Sequence, residues 1–365
     1  MSESGDLQQL EPKQRNFNWL RIFAILFVLA LLATSALWSR GGEEVAREKP
    51  KPIKAITDLP NRIVDIQALA WFAMTEASAI PVANPMPVKL MVAPESGIGC
   101  AEESIEIIRA VENAFKNTVL PKSVTLLFAN SSSDKAWLTK TTGELLARKY
   151  RSYLDGEEIN PETVNDRGEG VLWVLDPCRD NGSLSSEDQT QVAHGFAHVI
   201  QTMQFTTKDS DWARWGEVPR WILEGGATFV HNFWINRVDL ATYENRTENL
   251  GENLKLDSKF YFDYLKYDPS IEPLWKYTDQ WDNQRAYDIG SYVCQVLVAL
   301  RGPESIMELY GDYLKTEDFN LSFQNIYGMT WDEAHPIIAE SIFKMIRATG
   351  KRYMPWYDPD KQVKI

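Results

Sequence analysis

His194 and His198 are four residues apart, in a stretch whose apolar residues recur at helical spacing. Positions i and i+4 lie one turn above each other on the same helix face. Two imidazoles held that way can reach one metal ion together, the spacing that zinc hydrolases use. Ser186 followed by Gln189 reads as a capping box and predicts a helix over 187–205. Val192, Phe196, Val199, Ile200 and Met203 form its apolar stripe, roughly opposite the two histidines. A second helix is predicted over 219–235, with Pro219 suited to its first position. Its Glu224 can supply a third ligand. A hydrolytic zinc centre wants three protein ligands and one open position for water, and His194, His198 and Glu224 meet that count.

These residues also resemble a known family. His194-Gly195-Phe196-Ala197-His198, then Pro219-Arg220-Trp221 and Glu224-Gly225-Gly226-Ala227, is similar to the signature of the gluzincin zinc metallopeptidases. The resemblance is sharp at 194–198 and 219–227 and runs as a looser pattern over 185–350. It implies a zincin-like α+β fold, one zinc ion on His194, His198 and Glu224, and a peptide or protein as the molecule bound. One position departs. The family's catalytic Glu, directly after the first His, is here Gly195. That Glu is the general base, and a positioned acid–base group contributes about 10²–10⁴ in rate. Gly195 offers no proton acceptor.

Three functions follow from this departure. One is a catalytically impaired pseudopeptidase that binds peptide or protein. Another is an active metalloendopeptidase with a displaced base, either Glu217, the nearest acidic candidate, or a carboxylate from 239–282. The third is a metal-free structural or interaction ectodomain. In the C-terminal part the resemblance implies a Tyr or His that donates to an oxyanion, for which Tyr287 and Tyr292 are the candidates.

The elements around the motifs must position them. Helices are predicted over 61–79, 102–116 and 134–154, and strands over 88–92, 124–128 and 171–175. Residues 60–180 thus alternate helix and strand around a small mixed sheet. Further helices are predicted over 284–300, 304–315 and 330–348. The expected ectodomain spans 61–350, with a mixed lobe carrying the site helix at 61–205, a helical lobe at 206–350 and an irregular tail at 351–365. His231, seven residues after Glu224, shares its helix face and reads either as a neighbour of the metal or as a core or surface histidine. Thr228, four after Glu224, is placed to orient a ligand histidine. The aromatic, acidic stretch 239–282 reads as a lid or as a packed insertion. His335 is expected to be exposed on the last helix.

Composition bounds the setting. The chain has 365 residues and a net charge of −13, which argues against nucleic acid as a partner. Ile22 to Trp38 carries no charge and is flanked by Trp19, Arg21 and Arg40, the pattern of a membrane span with interfacial anchors. The expected order is a cytoplasmic tail at 1–18, a single-pass signal-anchor at 19–38 and a linker at 39–60, with the rest extracytoplasmic. The alternative is secretion after cleavage near Thr34-Ser35-Ala36. Three cysteines make no disulfide framework; Cys100 and Cys178 can form one bridge or stay unlinked, and Cys294 reads as a buried thiol.

Overall fold

Val88–Val92 (β1) and Ser123–Ala129 (β2) pair in parallel, from Val88 opposite Val124 to Val92 opposite Phe128. Glu169–Leu175 (β4) adds in parallel on the other side of β2, and the short Thr163–Val164 (β3) pairs antiparallel with β4. The order β1-β2-β4-β3 makes a small mixed sheet. In this computed structural model residues 47–96, 100–146, 163–165, 167–175, 186–205, 218–244, 264–266 and 280–353 are described, without the side chains of 186–188, 190, 280–285 and 348–353. Every residue of β2 is buried, as expected of a central strand covered on both faces. Its side chains alternate: Val124, Leu126 and Phe128 join the main core, whereas Leu127 and Ala129 join a smaller cluster with Leu138 and Val171.

Helices α1 (Ile63–Ala79), α2 (Ala101–Ala114) and α3 (Lys135–Leu145) alternate with the strands. Then come α4 (Ser186–Phe205), α5 (Arg220–Ile235), α6 (Gln280–Arg301), α7 (Glu304–Thr316), α8 (Phe319–Tyr327) and α9 (Trp331–Tyr353). The stripe Val192, Phe196, Val199 and Ile200 is fully buried, and it seats α4 on β4 and α2. The seat is close: a Cβ on Gly170 of β4 would come 2.6 Å from Val199. Helix α5 lies between α4 and α6. At its α6 contact Gly225 and Gly290 meet backbone to backbone, and a Cβ on either would collide with the other helix's main chain. Only glycine allows that approach.

Several expectations change here. The linker predicted to residue 60 is already core at Ile53, Ile56 and Leu59. Their three-residue spacing matches a 3₁₀ turn at Ile56–Asn61, which packs against α9. Helix α1 packs on α6 and α9 as well as on α2, so the main core runs from Ile53 to Met345 without a break between a mixed and a helical lobe. Helix α3 ends at Leu145 rather than near 154, and α9 continues to Tyr353 rather than stopping near 348. His335 is buried, not exposed, because α9 is covered on that side too. Cys100 is in a disulfide and Cys294 is a buried free thiol, while Cys178 lies outside the described residues. So do the tail 1–18, the span 19–38 and most of the stretch 239–282. Among the described residues no helix is long and apolar enough to cross a membrane.

Candidate metal centre

Three of the chain's four histidines come together between α4 and α5. His194 and His198 share one face of α4, and their Nε2 atoms point at each other across 3.0 Å. From α5 the Glu224 carboxylate completes the group, with Oε2 3.4 Å from His198 Nε2 and 3.7 Å from His194 Nε2. Donor atoms of all three lie within 4.8 Å of one another, so the group could hold a metal ion. His198 is 3 % exposed, whereas His194 and Glu224 are 15 % and 16 % exposed. The centre therefore opens to solvent on one side and is backed by protein on the other.

Burial opposes charge on Glu224, but an imidazole that carries its proton toward the carboxylate outweighs it and holds the carboxyl well below the usual carboxylate range. Even so, Oε2 is shielded from water and has no hydrogen-bond partner among the described residues. A buried carboxylate oxygen without a partner is costly, and a cation is what would satisfy it.

The surroundings orient the ligands. Gln201 Nε2 donates to Leu223 O at 2.9 Å, a carbonyl that can only accept. The amide oxygen of Gln201 must then face His198 Nδ1, 2.7 Å away, and Nδ1–H donates to it. That fixes the His198 tautomer and leaves the Nε2 lone pair turned to the centre. Gly226 of α5 makes room for this amide, since a Cβ there would stand 2.9 Å from Gln201 Nε2. His231 reaches His194 from α5, with Nδ1 3.3 Å from His194 Nδ1. Tyr287 of α6 stacks on the His194 ring, with centroids 5.8 Å apart and planes at 12°.

Histidine spacing, the ligand count of a zinc centre and the gluzincin resemblance singled out His194, His198 and Glu224, and the fold brings them together in space. Tyr287 belongs to the site through its ring, while Tyr292 is buried in the core. Thr228 is buried with its hydroxyl unpartnered among the described residues. Glu217 lies outside the described residues. Gly195 is buried beside His194, and no carboxylate stands at that position. Gln201 was not singled out in the sequence, although its place three residues after His198 put it within reach on the same helix. No protein-family model, no curated protein and no solved structure matches the chain.

Proposed function

We propose that the chain is a zinc-metallopeptidase-like protein of gluzincin type, catalytically impaired, that binds peptide or protein. A membrane tether by residues 19–38 is part of this reading, with secretion after cleavage as its alternative. The observation that carries it is the convergence of two Nε2 atoms and the orphaned Glu224 Oε2 on one point. Ligand atoms around a tetrahedral zinc at about 2.0–2.1 Å stand roughly 3.3 Å from one another. The spacings of 3.0, 3.4 and 3.7 Å here bracket that value. Two imidazoles and one carboxylate are also a donor set that zinc accepts readily.

When bound, zinc supplies Lewis-acid polarisation of a carbonyl and activation of water. The chain's own residues do the rest. Gln201 holds His198, and Glu224 contributes one negative charge and stays ionised. Gly195 can neither take a proton nor return it, which removes a step worth about 10²–10⁴ in rate. Binding without efficient turnover is what this combination supports.

The test uses the full chain, purified without chelator or an affinity His-tag. Zinc per chain by elemental mass spectrometry should be near one, and should be lost in Glu224→Ala. Zinc absent from both, even after zinc is supplied, refutes the metal centre. Gly195→Glu should create or raise hydrolysis of an unstructured protein by roughly 10²-fold or more. An unsubstituted chain already as active as this variant would mean a base supplied from elsewhere.

A further inference from the structure

We propose that His231 is a positioning residue for His194, holding its ring in the tautomer that frees Nε2 for a metal. This inference rests on the reading of the site as a metal centre. His194 turns its two nitrogens in different directions. Nε2 faces His198 and Glu224, while Nδ1 faces His231 Nδ1 at 3.3 Å. His231 therefore meets the ring on the side away from the centre and is no fourth ligand in this arrangement.

Two imidazole nitrogens that close share one proton. A neutral histidine that ligates through Nε2 carries its hydrogen on Nδ1. His231 Nδ1 then accepts that hydrogen. This is the part Gln201 plays for His198, so each ligand histidine has its own acceptor, one from α4 and one from α5. Metal-bound histidines commonly donate to a carboxylate, carbonyl or water. An imidazole acceptor orients the ring without adding a second negative charge beside Glu224. Tyr287 of α6 lies nearly parallel to the His194 ring, with centroids 5.8 Å apart.

The test compares the full chain with His231→Ala and His231→Gln, the latter keeping a side-chain acceptor. Zinc affinity is read by competition with a chromophoric chelator, and ligand geometry by the visible absorption of the cobalt(II)-loaded protein. His231→Ala should bind zinc about 10- to 100-fold more weakly and show an altered cobalt spectrum. His231→Gln should recover most of both. His231→Ala with unchanged affinity and spectrum overturns the inference and leaves the metal centre standing. His231→Gln as impaired as His231→Ala also overturns it, since packing rather than an acceptor would then be at issue. Failure of the unsubstituted chain to bind zinc removes the metal centre, and the inference with it.

Discussion

Helix α5 meets its two neighbours in opposite ways. Toward α6 it presents Gly225, which meets Gly290 backbone to backbone at the crossing point. Toward α4 it presents Glu224 and His231, whose polar atoms face those of His194 and His198. The two faces differ by one residue in sequence, Glu224 against Gly225. The first contact is steric and tolerates no added atom; the second is electrostatic and is left incomplete, with a carboxylate oxygen unsatisfied. The glycine seam sets the depth at which α5 sits and so where its carboxylate ends. Gly225, next to Glu224 in sequence, thereby bears on where the carboxylate stands relative to His194 and His198.

The largest effect should come from closing the seam. Gly225→Ala should cost about 3 kcal/mol or more, because overpacking here drives a methyl into main chain that cannot rotate away. A denaturant titration reads it directly. A loss below about 1 kcal/mol, within the ordinary range for point substitutions, would mean the helices part easily. The same variant should also bind zinc more weakly if the seam positions Glu224.

A smaller effect belongs to the electrostatic face. Gln201→Leu removes the acceptor for His198 Nδ1–H and should weaken zinc binding about 10- to 100-fold. Chelator competition tests it, and unchanged affinity would show that His198 needs no orienting partner.

The smallest concerns His335, the one histidine away from the centre. Burial pushes its imidazole below the ordinary value, with the Trp331 carbonyl, Asp332 and Lys266 as its charged and polar surroundings. The folded chain thus resists a proton that the unfolded chain accepts below about pH 6.5. Stability from the neutral form is full above that value and declines as pH falls toward the folded pKa. Denaturation midpoints across this range should fall less steeply with acidification in His335→Gln. Identical slopes would show that His335 does not contribute.

The His194–His198 pair was legible because helical periodicity fixes which side chains share a face, whereas Glu224 was reached through the count of ligands a zinc centre needs and the gluzincin resemblance. The parallel order of β1, β2 and β4 follows from strands separated by helices. Strand β3 was not legible, being two residues long. Helix α8 was missed although its ends were marked by Asp318, which accepts from Leu321 N, and by Gly328 in the left-handed conformation. The charged and proline-rich composition around them hid Ile53 and Ile56, whose burial depends on a helix almost three hundred residues away in sequence. Nor could the sequence show that Gly225 opposes Gly290, since such a contact exists only once two distant helices have packed. The orientation of His231 toward Nδ1 of His194 has the same origin.

The 3₁₀ turn at Ile56–Asn61 has a mechanical meaning. It wedges Ile56 and Leu59 against α9, and Arg62 ties back to Lys51 O at 2.7 Å and to Asp65 at 2.5 Å. Tension arriving along the chain at Lys49 is therefore resisted first by this turn and the C-terminal helix. The first and last parts of the described fold are thus packed on each other, and a pull at Lys49 meets that contact.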